Sequence, residues 1–198
     1  DNAENSDEPL TLSRYGGIGS HRYPLGFSGD ASMTWDTLRF LPYFTATASN
    51  AGYGWWSHDI GGHGFGEHNG ELYLRHVQFG VFAPINRYHC TSYPTMTKEP
   101  WAYLNGAGAL AEKQMKLRHK LVPFIYSRDK QAHDNADMLI EPLYYYHQST
   151  EDAYNFKNEY YFGKTLLVAP ITSPAGKDGY SRVEAWLPKG RWTDIFTG

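Results

Sequence analysis

Cysteine is almost missing from this 198-residue sequence: Cys90 stands alone, so no internal disulfide can form. A solitary thiol fits a reducing compartment, and the cytoplasm is the expected location, with a secreted parent left open. A nucleophilic role for Cys90 would need a base, and only the adjacent His89 offers one. A basic excess is missing too. The 18 Lys and Arg against 21 Asp and Glu give a formal net charge of −3, so neither nucleic acid nor an anionic membrane is an expected partner. No apolar run approaches the roughly 20 residues of a membrane span. No secretory signal is read at the start, which says little of a chain cut from something longer.

Aromatic residues, by contrast, are abundant: 16 Tyr, 10 Phe and 6 Trp. Their faces stack on the apolar faces of sugar rings while their polar tips reach hydroxyls, although the same excess serves to pack a large barrel. Residues 1–9 are polar, acidic and without periodicity, which reads as a loop or a ragged end.

Beyond them a pattern repeats of β-prone run, Gly-rich loop and helical stretch. The runs are Leu10–Tyr15, Tyr53–Ser57, Val81–Asn86 and Met138–Tyr145. The helical stretches are Met33–Phe44, with Ser32 as cap candidate, Glu71–Phe79 and Ala107–Tyr126, the last kinked by Pro123. This alternation predicts parallel βα units, an α/β fold amounting to the C-terminal half of a (β/α)8 barrel over residues 1–155. From about Phe156 the helices stop. Tyr160–Ile171 and Val183–Phe196 then read as the first strands of an antiparallel β-sandwich over 156–198. The chain reads as truncated at both ends. Half a barrel leaves edge strands bare, so self-association, an alternative packing or poor solubility of the lone chain is expected.

In such barrels the working residues follow the C-terminal ends of strands. That rule selects Arg14 with the loop through Asp30, the run His58-Asp59-Ile60-Gly61-Gly62-His63, and Arg87-Tyr88-His89. Asp30, in GFSGD, is the candidate general acid. Phe27 and Trp35 are expected to keep water away and raise its pKa, and the plainer reading is a helix cap or turn anchor. His58, Asp59, His63 and His68 could be drawn as metal ligands, but they lack the helical spacing of a zinc protease motif, so no metal is expected. YGGIGSHRYPLG has neither a Gly-Lys-Ser/Thr ending nor a G-x-G-x-x-G register, which argues against a phosphate cradle.

The segments SRYGGIGSHRYPLGFSGDASMTWDTLRF, YFTATASNAGYGWWSHDIGGH, LYLRHVQFGVFAPINRYH, EPLYYY, YFGKTLLVAPI and LPKGRWTDIFTG, in that order, resemble α-glycosidases of glycoside hydrolase family 31. The resemblance runs from about Leu10 to Gly198. It implies Asp30, in GD-x-x-x-x-W completed by Trp35, as general acid/base, and Arg14 and His89 as ligands of the sugar at the cleaved position. It implies Asp59 as the support of His89, Trp56, His63 and Phe27 as wall residues, and Arg22 and Arg75 as outlying supports.

The family mechanism is retaining, with a nucleophilic aspartate in a W-x-D-x-x-E-like motif. No such motif occurs here, and the early acids Asp1, Glu4, Asp7 and Glu8 look like the stretch just after it. The expected reading is therefore a fragment of an α-glucosidase-like hydrolase taking oligosaccharides or α-glucosides, inactive by itself and needing no cofactor. A sugar-binding module of the same descent and a transglycosidase are the alternatives.

Overall fold

The computed structural model describes residues 11–14, 17–23 and 25–198. The early acids through Glu8, together with Leu10 and Tyr15 of the first expected run, lie outside the described residues. Eight short strands lie among the described residues: β1 (Leu12–Ser13), β2 (Leu25–Phe27), β3 (Ser32–Met33), β4 (Trp55–Ser57), β5 (Gly64–Gly66), β6 (Ile140–Pro142), β7 (Tyr160–Phe162) and β8 (Leu166–Val168). The helices are α1 (Trp35–Ala48), α2 (Gly70–Val81), α3 (Ala107–Lys120), α4 (Val122–Asn135) and α5 (Asp152–Asn155).

The parallel sheet runs β1-β2-β4, with Leu12 beside Leu25 and Leu25 beside Trp55. The expected strand Val81–Asn86 survives only as parallel bridges from Ser57 to Ile85 and from Ile60 to Tyr88, because Val81 still belongs to α2. β2 has no counterpart in the sequence reading. Three residues, one of them Gly, carry too little pattern to be read as a strand. β3 and β5 form a separate parallel pair.

Helix α1 begins later than expected. Ser32 sits in β3, and Thr34 is the cap, its hydroxyl accepting from the Thr37 amide at 3.2 Å. Leu38, Leu41 and Thr45 then recur at helical spacing on the buried face. Asn69 caps α2 in the same way through Leu72 N.

The helix expected to kink at Pro123 is two helices. α3 closes at Leu121, whose amide is shared by Leu117 O and Arg118 O, and α4 opens with Pro123 in its first turn, where a missing N–H costs nothing. Arg118 of α3 reaches across to donate to Val81 O, Ala83 O and Pro84 O at 2.6–2.8 Å, fixing the turn between α2 and the bridged segment.

The fourth expected run takes a different partner. Ile140–Pro142 pairs antiparallel with β7, which pairs antiparallel with β8. The division placed at 155/156 thus has one sheet on both sides of it. No strand is formed by Val183–Phe196, where Pro188 and Gly190 interrupt the run. The second part contributes two of the three strands of that antiparallel sheet, short of the sandwich expected.

One core joins the parallel and antiparallel parts: Leu38, Leu72, Tyr73, Val77 and Phe79 pack in the same cluster as Ile140, Tyr160 and Phe162. Burial of each large side chain contributes about 1.5–3 kcal/mol. Ser49 Oγ donates to Ile140 O at 2.5 Å and Tyr160 Oη to Phe82 O at 3.0 Å, so polar groups also cross the junction. No helix among the described residues is long and apolar enough to cross a membrane.

Two histidines lie wholly inside. The Thr45 hydroxyl donates to Leu41 O and contacts His58 Nε2, so Nε2 is the protonated nitrogen of a neutral ring. His76 has no hydrogen-bond partner for either nitrogen among the described residues. Burial lowers both pKa values to about 3. The folded state therefore keeps both rings neutral, while the unfolded chain takes up two protons below about pH 6.5. Stability should be full above that pH and fall by about 1.4 kcal/mol per histidine for each pH unit down toward 3. Urea unfolding between pH 7 and 5 reads this slope, and His76→Leu should remove roughly half of it. A flat profile would contradict neutral burial.

Candidate active site

The parallel strands deliver the chemistry at one end. Arg14 follows β1 directly, Asp30 lies three residues past β2, Asp59 two past β4, and His89 one past the bridged Tyr88. These are C-terminal strand ends, where barrel enzymes carry their sites. The Gly61-Gly62 turn, with φ values of 93° and 82°, brings the chain back so that Gly62 N donates to Asp59 O at 2.8 Å. A Cβ on Gly62 would meet Met33 at 2.8 Å, so only glycine allows this close approach.

Asp59 is the fixed point of the site. Its side chain has no exposed surface, and Arg87 Nη2 donates to Oδ1 at 2.5 Å. Burial pushes the Asp59 carboxyl above its usual range, opposed by the charges of Arg87, His89 and His63. Arg87 is itself held by Ser57 Oγ at 3.4 Å and by the Phe27 ring, whose centroid lies 4.5 Å from the guanidinium carbon.

The second Asp59 oxygen, Oδ2, faces His63 Nδ1 at 3.2 Å, yet neither atom has an aligned hydrogen-bond partner among the described residues. The other His63 nitrogen, Nε2, lies 3.7 Å from Asp30 Oδ2, and Arg14 Nη1 lies 3.4 Å from Asp30 Oδ1. The His63 and His89 rings are 5.2 Å apart. Arg14, Phe27, Asp30, Asp59, His63 and His89 thus lie together at this end of the sheet.

Asp30 and Trp56 do not match their expected surroundings. Asp30 is not in an apolar setting: its side chain is 47% exposed, and its nearest charged neighbours are Arg14 and His63. Trp56, expected on the wall, is not brought to the cluster. Its ring packs on Phe44 and Tyr53 with centroids 5.2 and 5.4 Å away, on the face of β4 opposite Ser57. Gly26 makes room for that ring, since a Cβ there would lie 2.5 Å from it.

Arg75 is also elsewhere, bonded to Gln78 and Ser181, and Arg22 sits exposed in the turn before β2. Of the histidines drawn as metal ligands, His58 is turned to Thr45 and His68 stacks on Tyr103 at 4.3 Å. The trio that does converge is Asp59, His63 and His89.

One group was missed, and another was selected without its partner. Arg87 was seen only as part of the NRYH run, and its spacing from Asp59 could not reveal the pair. Lys98, 5% exposed beneath the Gly61 turn, donates to Met96 O at 2.6 Å, and burial lowers its pKa. No local motif announces it.

Residues 1–128 match the model of the glycosyl hydrolases family 31 TIM-barrel domain, and 136–198 that of the family's C-terminal domain. The chain belongs to glycosyl hydrolase family 31. Family 31 relatives include alpha-glucosidase 2 of Bacillus thermoamyloliquefaciens, 31% identical over 98% of this chain and 24% of its own length. The alpha-xylosidase of Saccharolobus solfataricus is 31% identical over 96% of this chain and 25% of its own. Among solved structures, the cycloalternan-degrading enzyme from Trueperella pyogenes superposes with a TM-score of 0.86 at 26% identity, over 96% of this chain and 28% of that one. It has been solved with isomaltose and with a covalent intermediate. The chain spans about a quarter of the length of these family 31 relatives.

The two carboxylates differ in how much of the fold depends on them. Asp59→Asn leaves Arg87 without its counter-charge and should cost about 1–3 kcal/mol, less than a fully buried pair because Arg87 is 30% exposed. Asp30→Asn, at an exposed position, should stay within about 0.5 kcal/mol of the parent. Urea unfolding of both variants checks this, and equal losses would contradict it.

Proposed function

We propose that this chain carries the acid/base part of a retaining α-glycosidase acting on terminal α-glucosidic or related bonds of oligosaccharides, with Asp30 as proton donor. The observation that carries the reading is the convergence of Arg14, Asp30 and His63 around the buried Asp59 and its partner Arg87. Asp30 is half-exposed, which suits a group that gives its proton to the leaving oxygen and later takes one from an incoming water. Arg14 and His63 fix its direction from two sides. Asp59 Oδ2 and His63 Nδ1, buried and without an aligned hydrogen-bond partner among the described residues, are groups that sugar hydroxyls satisfy, as hydroxyls both donate and accept. His89 is exposed beside them and reaches further hydroxyls, while Phe27 lies under Arg87 as part of the wall.

The relatives support the same chemistry. They include an α-glucosidase and an α-xylosidase, and the covalent intermediate of the cycloalternan-degrading enzyme is the species that double displacement forms. The other carboxylate of such a pair stands about 5–5.5 Å from the acid. No W-x-D-x-x-E run in this sequence supplies it.

Two measurements test the proposal. The chain alone should release no nitrophenol from nitrophenyl α-glucoside above background. Release that disappears in Asp30→Asn would overturn the expected inactivity. Isomaltose should bind the chain, and His63→Ala should weaken it about tenfold or more, the scale of hydrogen bonds to charged groups. Binding indifferent to His63 would sink the sugar reading.

A further inference from the structure

The facing atoms Asp59 Oδ2 and His63 Nδ1 have a second use. We propose that Asp59, His63 and His89 form a binding site for a divalent transition-metal cation of the zinc type. One nitrogen from each histidine and one carboxylate oxygen all lie within 4.8 Å of one another. Imidazole and carboxylate ligands hold zinc at about 2.0–2.2 Å, which sets tetrahedral ligand atoms roughly 3.3 Å apart. Asp59 Oδ2 and His63 Nδ1, at 3.2 Å, already have that spacing. His89 is exposed, and its ring stands 5.2 Å from that of His63, so a torsional adjustment of one surface side chain completes the set.

Oδ2 and Nδ1 are buried without a hydrogen-bond partner among the described residues, and the Asp59 side chain has no exposed surface at all. A cation there satisfies polar atoms that are otherwise costly to bury. Two imidazoles and one carboxylate suit zinc. Calcium and magnesium instead require six or more ligands, oxygen for the most part. Arg87 takes the opposite oxygen, Oδ1, and leaves Oδ2 turned to His63. Its positive charge opposes a second cation, which makes this a site filled from solution and emptied by a chelator, unlike a structural zinc. His58 and His68, directed at Thr45 and Tyr103, cannot join.

The cation site rests on these three side chains and not on the sugar reading; an isomaltose titration of metal-free protein reports on the latter alone. The test is calorimetry and equilibrium dialysis of chelator-treated protein against zinc chloride. One equivalent should bind. His89→Ala, at an exposed position that leaves folding intact, should weaken binding by at least the ~10–100-fold that loss of a mere supporting partner costs. His63→Ala should do the same, while His68→Ala and titrations with calcium or magnesium chloride serve as negative controls. Uptake unchanged in both His63→Ala and His89→Ala, or no uptake by the parent chain, would overturn the proposal.

Discussion

A carboxylate with no exposed surface must have its charge met inside the protein, and at Asp59 the answer is Arg87 at 2.5 Å. That single pair organises the strand ends. Arg87 can reach Asp59 only because Ile60 and Tyr88 are bridged in parallel, which sets β4 and the following segment side by side. Its guanidinium is steadied by Ser57 and Phe27, so β2 and β4 both have a stake in it. With Oδ1 committed, Oδ2 is left for His63, and His63 in turn faces Asp30. The exposed Asp30 carboxylate is thus oriented by a chain of contacts rooted in a buried one. Rigid support beneath the proposed proton donor is what acid/base chemistry requires.

The site was legible in the sequence to the extent that it follows from strand ends and family motifs. Arg14, Asp59 and His89 each follow a strand or bridge that alternation announces, whereas Asp30 follows β2, which carries no readable pattern, and was singled out by its GFSGD loop and the family motif. The surroundings of Asp30 were misjudged because Phe27 and Trp35 are near it in sequence, whereas the fold turns Phe27 toward Arg87 and puts Arg14 and His63 beside the carboxyl. Trp56 was misplaced for a related reason. A residue inside a motif still obeys the two-residue alternation of a strand, and in β4 that alternation sends Ser57 inward and Trp56 to α1.

Errors in the fold came from partners that sequence does not display. Met138–Tyr145 has a strand pattern, but nothing in it says that Tyr160–Phe162 will take its edge. Val183–Phe196 has β-prone residues, yet a strand exists only when another completes its hydrogen bonds, and Trp186 N instead donates to Glu159. Pro123 looked like a kink because the helical pattern runs through it. The backbone closes one helix at Leu121 and uses the proline to begin the next.

The family boundary between residues 128 and 136 cuts through sequence, but the core does not respect it. Ile140, Tyr160 and Phe162 belong to the cluster built on α1 and α2, and Glu71 Oε1 accepts from Ala175 N and Ser181 Oγ on the far side of that boundary. Two units of descent are therefore one mechanical unit. A graft that exchanges the C-terminal part for a relative's must bring matching residues on α1 and α2 with it. A protease that nicks the α4 connection should leave two pieces that still migrate together.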